Sequence, residues 1–445
     1  MQNTLIASRW LAYASLVLTA VLVIFGWWSG SGQFLLKGTT YGTLRALANL
    51  AAFAAAYGIL LQLFLIARVP WLDRTFGMDK LARFHHILGF SIPAAIVTHP
   101  MLLVAGEIAT SGGTWLAQFM SFVDGYQDVG KAAIAAALFL SLVAMSLVIV
   151  LGRLKYELWY YAHLIMYAAV LLALGHQFNV GDDMYGWFAG YWYGLYALAF
   201  GSLIVFRFAT PLYLYWRHGF TVDRVVTEGV GCWSVYLTGR GLESLAVRAG
   251  QFFIVRFLDK KRWRQAHPFS LSCVPNGNYL RITIKSLGDY TRDIGSLKPG
   301  TRVLLDGPHG AFTEEVSALD KRLLVAGGVG ITPIRSLCET MANEGKDVVM
   351  LYGARTCADL VFKQEMDELA AKHPNFKLLC VVAKDASWTG ETGLVDKEKI
   401  ARLVPDAVLR DVYVCGPKPM LDSVLSALDS LKVPKKQIHF ERFTL

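Results

Sequence analysis

The hydrophobic pattern changes character once along the chain, near residue 218. Up to His218 the apolar residues come in long runs, whereas from Phe220 onward charged and turn-forming residues interrupt them at the density of a soluble protein. A bilayer core takes about 20 apolar residues per crossing helix. The first half supplies six such runs, at 10–28, 44–67, 84–105, 132–152, 158–177 and 190–216. The first is too long for the apolar part of a leader, and no small-residue cleavage site follows Trp27-Trp28, so it is expected to stay as a helix. In the second half, Trp233–Leu237, Gln251–Val255 and Tyr279–Ile284 are short β-prone runs separated by turns, a pattern that suits a small antiparallel barrel. Arg322–Ala326, Val348–Tyr352, Lys377–Val382 and Asp411–Cys415 alternate with helical stretches and, apart from the leading Arg322, Lys377 and Asp411, are apolar at consecutive positions, as suits strands of a parallel sheet buried on both faces. The expected architecture is multi-domain: a six-helix transmembrane bundle over 1–218, an antiparallel β-barrel domain over 219–317 and an α/β nucleotide-binding domain over 318–445.

Charge adds an orientation. Arg68, Arg74, Lys80 and Arg83 follow the second run, Arg153 and Lys155 the fourth, and Arg217 the sixth, while the alternate loops carry Glu107, Asp124, Asp128, Asp182 and Asp183. Loops rich in Lys and Arg stay in the cytoplasm, so both termini and the second half are expected there, in a bacterial-type plasma or inner membrane. The net charge of +9 does not point to nucleic acid, because the cations are scattered rather than gathered in stripes with aromatics; the lipid bilayer is the expected partner. All six Cys fall in the second half without a C-x-x-C pair, which argues against disulfides and iron–sulfur clusters.

Ionisable residues inside a membrane are costly and usually functional. His85 and His99 lie 14 residues apart on the third run, and His163 and His176 lie 13 apart on the fifth. Each pair extends about 20 Å along its helix, one His toward each leaflet, so that two facing helices could clamp two stacked haems, each iron held by two imidazoles. His85 with His163 would hold the inner haem and His99 with His176 the outer. Fourteen residues return to nearly the same helix face but thirteen do not, so an irregularity is expected in the fifth helix near Gly175-His176. His86 is left as structural.

Other motifs belong to the second half. Gly327-Gly-Val-Gly-Ile-Thr-Pro333 follows an apolar strand and precedes a helix, a turn whose backbone can approach a pyrophosphate at a helix N-terminus. His267-Pro-Phe-Ser270 is an extended segment able to lie along a flat ring, with Ser270 as a hydroxyl partner. Lys285-Ser-Leu-Gly-Asp-Tyr-Thr291 leads into a short helix and could hold a second diphosphate. Val414-Cys-Gly-Pro417 sets a thiol at the carboxyl edge of the sheet.

In this order the motifs resemble the ferric reductase and NADPH oxidase superfamily over essentially the whole chain. The marks are Phe84-His85 with His99, Trp159-Tyr-Tyr-Ala-His163 with His176, His267-Pro-Phe-Ser270, Asp306-Gly-Pro-His-Gly310, Gly327–Pro333 and Cys415-Gly-Pro417. The resemblance implies two b-type haems, FAD and NADPH or NADH as cofactors. It implies that His267, Pro268, Phe269 and Ser270 meet the flavin, and that Lys285, Gly288 and Thr291 serve the FAD phosphates. Gly327, Gly328, Gly330, Thr332 and Pro333, with Gly416 and Pro417, would cradle the nicotinamide nucleotide, and Cys415 would stand near the nicotinamide. Arg355 would read the ribose 2′ position, which favours NADPH. Phe443, or alternatively Phe440, would cover the flavin. The implied activity is NAD(P)H oxidation with electrons delivered across the membrane to a small-molecule acceptor, oxygen or ferric iron. Leu103 stands where the animal oxidases carry a further His, and Pro100 directly follows His99, which weakens a dedicated superoxide generator. Arg45 could attract the acceptor or a haem propionate. The alternatives are a haemless membrane-anchored flavin reductase and a redox subunit that needs a partner. Haem content separates the first from the main reading, and turnover by the isolated chain separates the second.

Overall fold

The computed structural model describes residues 2–150 and 156–442; Arg153, Lys155 and Phe443 lie outside them. Helices α1 (Gln2–Ser29), α2 (Thr40–Ile66), α3 (Pro70–Phe76), α4 (Met78–Ser111), α5 (Trp115–Gly125), α6 (Val129–Val150), α7 (Tyr156–His163), α8 (Ile165–Asn179), α9 (Gly186–Ser202) and α10 (Thr210–His218) account for the first half. Among the described residues, six stretches are long and apolar enough to cross a membrane: Ile6–Ser29, Thr40–Ile66, Met78–Ser111, Val129–Ile149, Leu158–Asn179 and Gly186–His218. They coincide with the six apolar runs. In the last, α9 passes into α10 through wider π-type turns at Leu203–Ala209, just before Pro211 withdraws a backbone donor.

Small residues let the helices of the bundle approach, since lipid offers no hydrophobic drive between them. On α2 the buried positions include Ala46, Ala48, Ala55, Ala56 and Gly58, and a Cβ at Gly58 would sit 2.9 Å from Ile92 of α4. Gly26 of α1 does the same against Phe188 of α9, where a Cβ would come within 2.1 Å of the ring. Polar ties complete the packing: Trp27 Nε1 donates to the Ala46 carbonyl at 2.9 Å, and Asp183, between α8 and α9, accepts from the Ser31 amide and hydroxyl at 2.6 Å each. Burial holds the Asp183 carboxyl above its ordinary range despite those hydrogen bonds.

The second compact unit, Phe206–Leu445 with Pro70–Asp79 and Met1–Arg9, contains every strand among the described residues. Strands β1 (Thr221–Gly229), β2 (Cys232–Thr238), β3 (Phe252–Phe257), β4 (His267–Ser270), β5 (Leu280–Lys285) and β6 (Val303–His309) form two antiparallel three-stranded sheets, ordered β1-β2-β5 and β4-β3-β6. Bridges Thr221–Arg302 and Leu271–Ile282 join their edges around a shared core of Phe220, Val235, Phe253, Phe257, Ile282 and Leu305. Pro268 costs no ladder bond because β4 is an edge strand. Helix α11 (Asp289–Arg292) lies between β5 and β6. Strands β7 (Lys321–Gly327), β8 (Asp347–Ala354), β9 (Phe376–Val382), β10 (Glu391–Thr392), β11 (Asp411–Cys415) and β12 (Ile438–Glu441) make a six-stranded parallel sheet ordered β10-β9-β8-β7-β11-β12. Helices α12 (Ile331–Asn343), α13 (Lys363–Lys372), α14 (Lys397–Leu403) and α15 (Lys418–Ser430) cover its two faces, which explains why its strands are apolar at consecutive positions.

Candidate functional site

The strand order of the parallel sheet reverses between β7 and β11. Ligands of open α/β sheets bind at such a switch point, outside the carboxyl ends of the strands. Both turns singled out in the sequence stand there. Gly327–Gly330 links β7 to α12, and Cys415-Gly-Pro417 follows β11, with Cys415 in register beside Ala326. The turns are pressed together: a Cβ on Gly330 would lie 2.3 Å from the Cys415 carbonyl oxygen, and one on Gly327 would lie 2.1 Å from Met420 Sδ. Gly328 has φ +53°, in the left-handed region. The Thr332 hydroxyl donates to the Val329 carbonyl at 2.9 Å and closes the turn. Cys415 is fully buried, and burial followed by the nearby Glu441 carboxyl pushes its thiol well above the ordinary range. It is therefore a neutral thiol and no nucleophile at physiological pH.

Strand β3 gathers the other motifs. It pairs with His267–Ser270 on one side and with Asp306–His309 on the other. Ser270 is buried, Phe269 half-buried and Pro268 exposed, and the His267 ring packs 4.1 Å from that of Tyr290. Lys285, at the end of β5, lines one cleft with Gly328, Val329 and Thr332, so the residues expected to serve FAD and those expected to serve the nicotinamide nucleotide meet there. Thr291 stands at the first turn of α11. Its hydroxyl accepts from the amides of Leu287 and Gly288, at 2.9 and 3.1 Å, and caps its own turn. Arg355 is exposed just past the end of β8, without an ion-pair partner among the described residues. Phe440 is exposed on β12.

In the bundle, α2 fixes both histidines of α4. The Gln62 amide donates to the His85 carbonyl at 2.8 Å, and His99 Nδ1 lies 3.0 Å from the Ala48 carbonyl. Donation from Nδ1 leaves the Nε2 lone pair of His99 for a metal. With metal–imidazole bonds of about 2 Å and a ring radius of about 1.2 Å, rings facing across one metal have centroids about 6.4 Å apart. The His85 and His163 centroids are 6.2 Å apart. Two imidazoles facing at this distance suit a metal whose remaining ligands come with it, as in haem. His86 is exposed, with its ring 6.2 Å from that of His85.

The irregularity expected near Gly175-His176 lies instead at Leu164, directly after His163, where α7 gives way to α8. The Leu164 amide still bonds Tyr160, but the Leu164 carbonyl accepts from Tyr167, three residues on. A tightened turn advances about 120° per residue rather than 100°, which carries His176 toward the face of His163. Gly175 serves another need: a Cβ there would lie 2.7 Å from Asp128 Oδ2. Arg45 is not a free cation either, for Asp182 engages its Nε and Nη2 at 2.8 and 2.7 Å and Tyr41 accepts from Nη1 at 2.6 Å.

Three features escaped the reading of the sequence. Arg281, buried on β5, is gripped by Glu365 of α13 at 2.7 and 3.0 Å, and Glu365 also accepts from Arg335 of α12 at 3.0 and 2.9 Å. This network ties the barrel to the parallel sheet. Glu441, in register beside Cys415, has a buried Oε2 without a hydrogen-bond partner, and burial with the charges of Asp79 and Asp73 pushes its carboxyl up to about 8. Finally, Asp73 of α3 meets His309 of β6. No spacing pattern in the sequence points to any of them.

Three families match the chain in order: "Ferric reductase like transmembrane component" over residues 51–174, "FAD-binding domain" over 234–313 and "Oxidoreductase NAD-binding domain" over 324–425. A Mycobacterium tuberculosis "NADPH oxidoreductase" is 31% identical over 211 residues, 45% of this chain and 53% of that protein. A Burkholderia "Flavohemoprotein" is 32% identical over 241 residues, 51% of this chain and 60% of that one. The chain thus spans between half and two thirds of the length of these relatives. Among solved structures, the FAD/NAD-binding domain of Vibrio cholerae nitric oxide dioxygenase superposes with a TM-score of 0.46 at 25% identity, covering 50% of this chain and 97% of that one. With a ferric-reductase-type transmembrane component, an FAD-binding domain and an NAD-binding domain in one polypeptide, the chain is an integral membrane oxidoreductase of the ferric reductase and NADPH oxidase superfamily.

Proposed function

We propose that the chain conducts electrons from cytoplasmic NADPH, through bound FAD and two b haems, to an acceptor across the membrane, either oxygen or ferric iron. The observation that carries this reading is the 6.2 Å separation of the His85 and His163 rings, the spacing of two imidazoles on one metal. His99 with His176 forms the second pair on the same two spans. Bound FAD supplies the conversion between hydride and single electrons. The rest falls to the protein. Gly327–Gly330 and the amides at the start of α12 receive the pyrophosphate of the nicotinamide nucleotide. Cys415 packs a neutral thiol at the nicotinamide edge, where a thiolate would attack the ring. Arg355, exposed and without an ion-pair partner among the described residues, offers a bidentate contact to a ribose 2′-phosphate, and the mycobacterial relative bears the name NADPH oxidoreductase. Arg68, Arg74, Lys80 and Arg83 keep the loop between α2 and α4 in the cytoplasm, on the side of the second half.

The test is the visible spectrum of the purified protein in detergent before and after anaerobic NADPH. Two haems per chain that become reduced within turnover time are expected. Flavin bleaching without any haem signal would overturn the reading.

A further inference from the structure

Helix α5 (Trp115–Gly125) connects two of the spans and is amphipathic in its own right. At about 100° per residue, Trp115, Leu116, Phe119, Met120, Phe122 and Val123 share an arc of about 160°, and Gln118, Ser121 and Asp124 occupy the other side. None of its residues is buried, and Leu116 is 65% and Met120 42% exposed. Three residues lead into it from α4 and three lead out to α6, at most about 10 Å of chain each. The first connection turns through Gly112 and Gly113, at φ +70° and +94°. Gln118 Nε2 donates to the Ser111 hydroxyl at 3.1 Å and to the Gly112 carbonyl at 2.9 Å, which draws the polar side of α5 back to the end of α4. In the second connection Asp128 accepts from Asn179 of α8 and from Lys131 of α6, both at 2.6 Å. Helix α5 is thereby held where three spans end, at Ser111, Val129 and Asn179.

We propose that α5 is an in-plane membrane helix, lying in the boundary between lipid and water at the end of the bundle nearer His99 and His176. Leu116, Met120 and Val123 then enter the acyl region, while Ser121 and Asp124 stay in water. Trp115 at its start and Tyr126 just past its end are both exposed, and such rings settle at headgroup depth. The apolar face continues the lipid-facing surface of the neighbouring spans, where Met101 of α4 and Ile134 of α6 are also exposed. It is too small to hold a second copy: its 11 residues make a strip about 16 Å long and about 10 Å wide, about 160 Å², whereas a stable interface covers about 800 Å² on each partner. The helix has no Lys or Arg, so burial of apolar surface rather than attraction to anionic headgroups holds it, and a zwitterionic bilayer suffices. The inference needs the membrane but not the electron path, so the two stand or fall separately.

The substitutions Leu116→Cys and Ser121→Cys place a thiol on either side of the helix. The full-length variants are set in phosphatidylcholine nanodiscs holding one copy each and treated with a membrane-impermeant maleimide. Mass spectrometry reads each position on its own peptide, apart from the native cysteines, and each rate is divided by that of the same variant unfolded in detergent. Ser121→Cys should react at least about tenfold faster than Leu116→Cys. Unmodified protein supplies a second measurement that no substitution can disturb: chloramine-T should oxidise Met120 in discs at least about tenfold more slowly than in the unfolded chain, although the protein itself leaves that side chain exposed. Equal labelling at the two positions, or Met120 oxidised as fast as in the unfolded chain, would put this face in water and overturn the proposal. Protection of Leu116→Cys confined to discs that hold two copies would give the face to a second copy and overturn it as well.

Discussion

Replacing Glu365 by glutamine should loosen the joint between the barrel and the parallel sheet by an amount the structure allows to be bounded. Glu365 satisfies two guanidinium groups at once, Arg281 from the barrel and Arg335 from α12. Removing one partner of a fully buried pair costs about 3–5 kcal/mol, and a surface pair is worth about 0.2–1 kcal/mol. Here Arg281 is 4% exposed and Glu365 32%, and Arg281 keeps the Ser272 carbonyl at 2.6 Å and the Phe362 ring at 4.5 Å, so an intermediate cost of about 2 kcal/mol follows. For a unit of this size that is about 4–8 °C in Tm. Thermal unfolding of the full-length protein in detergent, read by the rise of FAD fluorescence on release, measures it. The pH dependence has a definite sign. Burial alone would raise the Glu365 carboxyl, but the hydrogen bonds and charge of Arg281, then Arg335, hold it below its ordinary value. The pair therefore stabilises fully above the ordinary glutamate range, about pH 4.3, and its contribution is lost as pH falls through the lowered value. The gap between wild type and Glu365→Gln should stay constant from pH 7.5 to about 5.5 and close at lower pH. A gap under about 1 °C at pH 7, or one that widens on acidification, refutes the reasoning.

Three further outcomes are expected. His163→Ala should halve the haem content measured as the pyridine haemochrome while NADPH still bleaches the flavin; retention of both haems would remove His163 from the ligand set. Gly330→Ala forces a Cβ against backbone rather than a side chain, so it should cost about 3 kcal/mol or raise the NADPH KM at least about tenfold with FAD retained, and unchanged steady-state kinetics would contradict the packing. Cys415, buried and with its thiol held protonated, should resist iodoacetamide at pH 8 in the native protein while the half-buried Cys357 is labelled; mass spectrometry of the alkylated peptides shows which.

The six spans were legible because a crossing helix must be apolar all round, and the β7, β8, β9 and β11 strands because helices bury both faces of their sheet. The approach of the His85 and His163 rings could be anticipated from their matching places on two spans. The break in the fifth span was misplaced because a glycine in a helix pattern marks either a bend or a close approach, and Gly175 is the second kind. The capping contacts of Thr291 were not legible, since the same hydroxyl can cap a turn or touch a phosphate and the spacing does not say which. Arg281 sits between apolar Leu280 and Ile282, where strand alternation suggests a solvent face, and only the docking of α13 covers it. Asp73 and Glu441 belong to no motif; the chain folds them inward over sequence separations that no local pattern encodes.

The Arg45–Asp182 pair changes how that end of the bundle looks to an approaching molecule. A bidentate guanidinium–carboxylate contact is a dipole rather than a monopole, and its field dies away faster with distance than that of a lone arginine. Small anions and small cations thus arrive there without long-range attraction by Arg45. Any dependence of an acceptor's arrival at this end on ionic strength should therefore come from the other charged residues there, and Arg45→Gln should leave that dependence nearly unchanged only if Asp182 is replaced with it.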